Sequence, residues 1–121
     1  MLINILFALL LSQNIAFASQ IPNAIVTYSQ EYKQDPYIVM DIISCEGGFD
    51  KIKTSPTNDV GPMQINKIHI PEAEKMGLNI YKHDDNIHYG IYLMSEKGLK
   101  PWSSSEKCWI KHPISGGQNS P

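Results

Sequence analysis

The stretch "DPYIVMDIISCEGG", residues 35–48, has both the start signal and the stop signal of a helix. Asp35 is a good N-cap because its carboxylate accepts hydrogen bonds from free backbone N–H groups, and Pro36 at the next position needs no N–H. Gly47 ends the helix because glycine tolerates the left-handed conformation of a C-cap. The stretch therefore predicts a helix with one carboxylate, Glu46, in its last turn.

The direction in which Glu46 points follows from the apolar residues of the same helix, which form one stripe: Ile38, Val39, Ile42 and Ile43. At about 100° per residue, Glu46 falls near the middle of that stripe and faces the same way as the residues that must be buried. Burial and the partial negative charge of a helix end both favour the protonated form of a carboxyl group. That form is what general-acid catalysis requires. The alternative is that the helix has already ended and that Glu46 is exposed.

The rest of the chain predicts short helices around an irregular loop. Residues 50–68 read as a loop with a small hairpin, in which "VGPMQI" is the one strand-like piece. The predicted helices run from Pro22 to about Lys33, from Pro71 to Met76, from a cap at Asp84 or Asp85 to Gly98, and from the capping-box sequence "SSSE", residues 103–106. The predicted fold class is mainly α, with a minor β element.

The N-terminal residues 1–18 predict a secretory signal peptide, since an apolar core is followed by Ala16-Phe17-Ala18. The n-region has no Lys or Arg, so the alternative is a disordered or membrane-resting N-terminus. The apolar run is too short to span a bilayer, and no stable membrane insertion is expected after cleavage. We expect one domain at residues 19–112, a disordered tail at 113–121, and a periplasmic or secreted location.

Charge and composition exclude several partners. The chain has 121 residues and a formal net charge of −2, and no basic patch suggests nucleic acid. Strong electrostatic capture by an anionic surface is also disfavoured. No metal or cofactor is expected, because the histidines show no zinc-ligand spacing: His69, His83, His88 and His112. We expect a monomer.

The two cysteines, Cys45 and Cys108, both lie in the exported part. In an oxidising compartment an even pair is most simply one disulfide. Closing a loop of this length would stabilise the fold by roughly 4 kcal/mol in the chain-entropy model. The alternatives are a catalytic thiol, which needs a base partner, and a metal site.

The sequence "DVGPMQIN", residues 59–66, resembles the segment after the catalytic helix in the lysozyme superfamily. Lytic transglycosylases have Glu-Ser followed by Gly-Leu-Met-Gln-Ile, and animal-type lysozymes have Asp-x-Gly-x-x-Gln-Ile-Asn. This stretch matches both patterns, with Pro62 in place of Leu. "DNIHYG", residues 85–90, looks like the transglycosylase Asn-Ile-x-x-Gly helix start. "GLKPWSSSEKC", residues 98–108, is similar to the lysozyme Gly-x-x-x-Trp segment, which leads to a cysteine tied to the catalytic helix.

The resemblance implies a lysozyme-like α+β fold and a set of roles. Glu46 matches the general acid that protonates the glycosidic oxygen. Met63 and Gln64 match residues that line the sugar cleft, and Trp102 resembles the aromatic wall beside the acid. Cys45 would be the partner of Cys108. Trp102 could also simply fill the core.

Two further residues are candidates for substrate binding, Asn66 and Tyr92. Gln64 and Asn66 could instead satisfy loop backbone groups, and an aromatic residue on a helix is more often part of the core. Three departures bear on the transglycosylase subtype. Gly47 follows the acid where transglycosylases have Ser, the expected Tyr position holds Leu93 with Tyr92 one place off, and no Ala-Tyr-Asn segment follows.

Asp59 separates the candidate reactions. In a retaining hydrolase it would act as nucleophile or ion stabiliser opposite Glu46. If it only caps the loop, Glu46 works alone and closes a 1,6-anhydro ring. We expect an exported peptidoglycan lytic transglycosylase, with a hydrolytic lysozyme as the second interpretation and a glycan-binding module without activity as the third. Peptidoglycan glycan strands are the expected partner, and the resemblance also suggests a secretion, pilus or conjugation apparatus.

Overall fold

A computed structural model describes residues 22–49 and 54–111 of the chain. Its elements, in order, are α1 Asn23–Glu31, α2 Pro36–Glu46, β1 Asp59–Val60, β2 Ile65–Asn66, a 3₁₀ turn Lys67–His69, α3 Ile70–Lys75, α4 His83–Lys97, a 3₁₀ segment Lys100–Ser105 and α5 Glu106–Trp109. The predicted mainly helical class with a short hairpin is confirmed. The predicted signal peptide and C-terminal tail lie outside the described residues.

Helix α2 begins and ends where the sequence predicts. The carboxylate of Asp35 accepts a hydrogen bond from the backbone N–H of Tyr37 at 2.9 Å, and Gly47 forms the C-cap with a φ of 128°. Only glycine adopts such a backbone conformation without strain. The stripe residues Val39, Ile42 and Ile43 are fully buried, so α2 presents its apolar face to the core.

The hairpin consists of two residues in each strand, paired antiparallel. Asp59 lies opposite Asn66, and Val60 lies opposite Ile65. The connecting turn contains two residues with positive φ, Gly61 at 75° and Gln64 at 49°. A non-glycine residue in this region is uncommon, and such strain persists only where surrounding contacts hold it.

One hydrophobic core joins the helices, the hairpin and the 3₁₀ segment Lys100–Ser105. Helix α4 supplies the largest share, with Ile87, Tyr89 and Ile91 at 0 to 1 % exposure, and it packs against α1. The predicted disulfide is present. Cys45 at the end of α2 is bonded to Cys108 in α5, with a Cα–Cα distance of 5.9 Å, so the C-terminal helix is fixed beside the end of α2.

Two predicted helix starts are wrong. Helix α4 begins at His83 after an N-cap residue, Lys82, that makes no side-chain cap. Asp85 accepts a hydrogen bond from the backbone N–H of Asn79 at 2.9 Å, so its carboxylate is used by the preceding loop. The "SSSE" segment also makes no capping box, because residues 100–105 form a 3₁₀ segment and the hydroxyl of Ser105 has other partners.

None of the helices in residues 22–49 and 54–111 has both the length and the apolar character needed to cross a bilayer.

Candidate active site

Glu46 is the last residue of α2 and is partly buried. Its Oε1 accepts a hydrogen bond of 2.6 Å from the hydroxyl of Ser105. Ser105 is held beside it because the Cys45–Cys108 disulfide ties α2 to the segment that follows Ser105. The carboxyl group of Glu46 is therefore oriented by a residue 59 positions away in the sequence.

Trp102 connects this acid to the hairpin. It is 2 % exposed, and its indole N–H donates a hydrogen bond of 2.8 Å to the carbonyl of Met63. The carbonyl of Trp102 accepts a hydrogen bond from the hydroxyl of Ser105 at 3.1 Å and another from the indole N–H of Trp109 at 3.1 Å. Trp102 therefore packs in the core and also links the acid-bearing end of α2 to the turn of the hairpin.

Met63 has a different place from the one that the resemblance suggests. Its side chain has 0 % exposure, so in this structure it has no surface with which to line a sugar cleft. The cause is the neighbouring Gly90, where an added Cβ would come within 2.3 Å of the Met63 sulfur. The absence of a side chain at Gly90 on α4 lets the thioether pack directly against the helix backbone.

Asn86, near the start of α4, holds the hairpin turn in place through its side-chain amide. Its Nδ2 donates hydrogen bonds of 2.8 Å to the carbonyls of Val60 and Ile80, and its Oδ1 accepts one of 2.9 Å from the backbone N–H of Met63. Asn86 has 0 % exposure. An added Cβ at Gly61 would lie 2.4 Å from the Asn86 amide, so this glycine is needed for the close approach as well as for its positive φ.

A cavity of about 140 Å³ lies beside the hairpin, and its described lining residues are Asp59, Gln64, Ile65, Asn66, His69, Leu93, Pro101 and Trp102. It brings together four of the residues that the sequence predicts for the site. Glu46 is not among its described lining residues, and the hydrogen bonds of Ser105 to Glu46 and to the Trp102 carbonyl connect it to this wall. A larger cavity of about 340 Å³ lies between α3 and residues 78–81, but it contains none of the predicted site residues.

Gln64 lines this cavity from the turn. Its side-chain amide donates a hydrogen bond of 3.0 Å to the carbonyl of Gly61, which also accepts from the Gln64 backbone N–H at 3.0 Å. These two bonds explain how a non-glycine residue is held at positive φ in the turn. The predicted contact of Gln64 with sugar stays a prediction.

The carboxylate of Asp59 lies in a network of side-chain donors. Its Oδ2 accepts from the hydroxyls of Thr57 at 2.5 Å and Ser55 at 3.3 Å, and its Oδ1 accepts from the amide of Asn66 at 3.0 Å. The same amide donates to the carbonyl of Thr57 at 3.1 Å, and the Asn66 Oδ1 accepts from the backbone N–H of Ile68 at 3.0 Å. Both residues therefore hold the loop and the hairpin together, and their roles towards substrate stay predictions.

Tyr92 lies on the α4 face beside other aromatic rings. Its ring centroid is 5.8 Å from that of Tyr32 and 5.6 Å from that of Tyr89. It is partly buried and is not among the described lining residues of the cavity, where α4 contributes Leu93 instead. A contact of Tyr92 with substrate stays a prediction.

Two residues of this region are not identified by the sequence patterns, Ser105 and His69. The local sequence places Ser105 in a capping box, and only the fold brings it to Glu46. His69 lines the cavity, and its Nδ1 lies 3.2 Å from the hydroxyl oxygen of Tyr89. No spacing motif surrounds His69, but its position three residues after the hairpin sequence is a usable signal.

Comparison with known families agrees with this geometry. The family model described as the Transglycosylase SLT domain matches residues 23–105. The match covers α1 through the 3₁₀ segment that carries Ser105, and so it includes Glu46, the hairpin and Asn86. No curated protein and no solved structure matches the chain.

Proposed function

Because the chain belongs to the Transglycosylase SLT domain family, we propose that it cleaves the β-1,4 bond between N-acetylmuramic acid and N-acetylglucosamine by lytic transglycosylation, with Glu46 as the acid and base. Membership in this family implies lytic transglycosylase activity on peptidoglycan. Three points go beyond family membership: Glu46 as the catalytic residue, the steps of the reaction at this residue, and action outside the cytoplasm.

The observation that carries the proposal is the setting of Glu46. It ends α2 beside Gly47, which has no side chain, and a 2.6 Å hydrogen bond from Ser105 holds its carboxyl group. A general acid must be held in one geometry, because proton transfer requires a heavy-atom distance of about 2.6–3.2 Å to the reacting oxygen. The disulfide and the hydrogen bond together fix the end of α2 in this way.

The reaction uses Glu46 twice. As a carboxylic acid it gives its proton to the glycosidic oxygen while the bond from that oxygen to C1 of the muramic acid breaks, and the N-acetyl group stabilises the positive charge at C1. As a carboxylate it then takes the proton of the C6 hydroxyl of the same sugar while O6 bonds to C1. The ring closes as a 1,6-anhydro sugar, Glu46 is protonated again, and no water is consumed.

Ser105 suits both forms of this acid. Its hydroxyl has one proton and two acceptors within reach, Glu46 Oε1 at 2.6 Å and the Trp102 carbonyl at 3.1 Å. When Glu46 is ionised, the hydroxyl donates to it. When Glu46 is protonated on Oε2, its Oε1 is a carbonyl oxygen that still accepts from the same hydroxyl, so the acidic proton is left for the glycosidic oxygen. Ser105 thus supplies from another part of the chain the contact that Gly47 cannot make.

The environment of Asp59 supports a loop-holding role over a nucleophilic one. Both of its oxygens accept hydrogen bonds from side chains, three in all, so lone pairs that a nucleophile would direct at C1 are already used within the loop. One observation favours the hydrolytic alternative, in which Asp59 completes the reaction with water. Asp59 is a described lining residue of the same cavity as Gln64 and Trp102.

The products of peptidoglycan digestion test the proposal. The purified chain should release muropeptides that are one water lighter than hydrolytic products, and Glu46→Gln should release none. Asp59→Asn keeps the shape and one acceptor oxygen, so it should retain anhydro products at a reduced rate. Ordinary reducing ends that disappear in Asp59→Asn would instead establish the hydrolase.

A glycan-binding module without activity is the remaining class. In that case the wild-type chain and Glu46→Gln would bind purified peptidoglycan equally, and neither would release soluble fragments. Full activity in Glu46→Gln would reject both the transglycosylase and the hydrolase mechanism.

We also propose that the chain acts outside the cytoplasm. The Cys45–Cys108 disulfide supports this, because structural disulfides form and persist in oxidising compartments. Peptidoglycan as substrate points to the same compartment. In a periplasmic or culture fraction, alkylation should add no mass to the chain before reduction and should label both Cys45 and Cys108 after reduction.

A further inference from the structure

His69 has a distinct position in the cavity beside the hairpin. It ends the 3₁₀ turn that follows β2, and it shares the cavity wall with Asp59, Gln64 and Trp102. It is the one imidazole among the described residues that line this cavity. The proposed reaction of Glu46 does not use it.

A chain of two hydrogen bonds leads from His69 into the protein. The hydroxyl of Tyr89 donates to Glu72 Oε1 at 2.8 Å, and its oxygen lies 3.2 Å from the Nδ1 of His69. Tyr89 itself is fully buried. A carboxylate has no proton to donate, and a tyrosine hydroxyl has one. The proton of Tyr89 is therefore committed to Glu72, and its oxygen can only accept from the ring.

This arrangement selects one tautomer of the imidazole. If Tyr89 accepts, Nδ1 carries the proton, and in the neutral ring Nε2 is then a hydrogen-bond acceptor. Burial lowers the pKa of His69 below its ordinary 6.5, an effect opposed by the negative charge of Glu72 and reinforced by the positive charge of Lys97. The neutral ring is therefore the main form near neutral pH. The fixed tautomer resembles that of histidines whose second nitrogen is oriented by a partner.

We propose that His69 is a substrate-contacting residue whose Nε2 accepts a hydrogen bond from a hydroxyl or acetamido N–H of the glycan strand, with Tyr89 and Glu72 as the positioning residues that hold its tautomer. The inference rests on the proposed function, since it takes the cavity to hold an amino-sugar strand. Amino sugars fit because every ring carries several hydroxyl or amide donors and no charge is needed for the contact.

The contact should depend on pH because the ring of His69 can gain a proton, and nearby charged groups affect its pKa. Glu72 and Lys97 act on the ring from α3 and α4, and Asp59 shares the cavity from β1. When the ring gains a proton, Nε2 becomes a donor and loses its acceptor role. Binding through this nitrogen should therefore weaken as the pH falls below 6.5.

Binding is best measured in a Glu46→Gln chain, which cannot consume the ligand. The probe is a β-1,4-linked oligomer of N-acetylglucosamine, titrated by calorimetry at pH 7.5. Loss of a neutral hydrogen bond in His69→Ala should weaken binding about tenfold. His69→Gln, whose amide oxygen can still accept, should recover part of the affinity. A loss in His69→Ala that appears with the acetylated oligomer and not with the deacetylated glucosamine oligomer would assign the contact to the acetamido group.

The positioning role has its own readout. Tyr89→Phe keeps the buried ring and removes the hydroxyl, and the ¹⁵N shifts of His69 should then move from the Nδ1–H form towards the Nε2–H form. Tyr81→Phe is the matched control, because Tyr81 is exposed and lines the other cavity. Unchanged ¹⁵N shifts in Tyr89→Phe would reject the positioning role.

The inference and the proposed function fail separately. Unchanged oligomer binding in His69→Ala, together with an inactive Glu46→Gln chain, would reject the contact and leave the transglycosylase intact. Full activity in Glu46→Gln would reject the proposed function, whatever His69 does.

Discussion

Asn86 is the residue whose loss should damage the site most without touching the acid. Asn86→Ala removes three buried hydrogen bonds at once, two to the carbonyls of Val60 and Ile80 and one from the N–H of Met63. Each buried group left without a partner costs about 1–3 kcal/mol. Allowing for partial relaxation, we expect the free energy of unfolding to fall by about 3–5 kcal/mol. A domain of this size has only about 5–15 kcal/mol in total.

The substitution Asn86→Asp separates hydrogen bonding from packing. It keeps the shape and the acceptor for the Met63 N–H, but it places a carboxylate oxygen against the carbonyls of Val60 and Ile80 in place of the amide donor. Repulsion and desolvation should then make the loss at neutral pH at least as large as in Asn86→Ala. The hairpin turn would lose its support from α4, and muropeptide release should fall with it.

Urea denaturation followed by tryptophan fluorescence is a suitable assay, because Trp102 is buried and bonded to Met63. Asn23→Ala is the matched control, since Asn23 is exposed at the start of α1; its midpoint should hardly change. A loss below about 1 kcal/mol in Asn86→Ala, with an unchanged m value, would show that the turn does not depend on this side chain.

Three further changes have expected outcomes. Replacing both Cys45 and Cys108 by Ser should lower the free energy of unfolding by about 4 kcal/mol, because the disulfide closes a loop with a sequence separation of 63; unfolding that is insensitive to reductant in the wild type would contradict this. Gly90→Ala should destabilise the chain by about 1–3 kcal/mol through overlap with Met63, although alanine favours a helix by about 1 kcal/mol; a more stable variant in thermal unfolding would refute the close contact. Burial lowers the pKa of His88 below 6.5, so the unfolded chain binds this proton more readily than the folded chain, and the free energy of unfolding should decrease as the pH falls below 6.5. In urea titrations, His88→Gln should reduce the difference in the free energy of unfolding between pH 7.5 and pH 5. An unchanged difference would exclude this histidine as the cause.

The helices are predictable where local signals decide them. Asp35 and Gly47 bound α2 through contacts within a few residues, and the structure has the same cap and the same end. Predictions fail where a polar side chain has a better partner farther away. Asp85 accepts from Asn79 six residues before it, and Ser105 bonds to Glu46. A local motif states which bonds a side chain can make, and the tertiary fold decides which it does make.

The sequence predicts which residues belong to the candidate site better than it predicts how they contact each other. The resemblance identifies Gly61, Met63 and Asn86 as parts of motifs, but it does not say that the first two are shaped by contact with α4. The structure gives the reason: Asn86 occupies the space over Gly61, and Met63 occupies the space over Gly90. The two motifs, 23 residues apart at the Met63–Asn86 bond, are therefore two sides of one packing contact.

The position of Glu46 depends on segments that are distant in sequence. The Cys45–Cys108 bond draws the C-terminal segment against the end of α2, the Ser105 hydroxyl then reaches the carboxyl group, and the Trp102 indole carries the same segment to the Met63 carbonyl. Loss of the disulfide should therefore misplace Ser105 and Trp102 together, so that activity falls before the fold is lost. If the chain with both changes loses no more activity than the more damaging of Ser105→Ala and disulfide removal alone, the disulfide and the Ser105–Glu46 hydrogen bond act as one unit. Fully additive losses would show instead that the hydrogen bond to Glu46 forms without the disulfide.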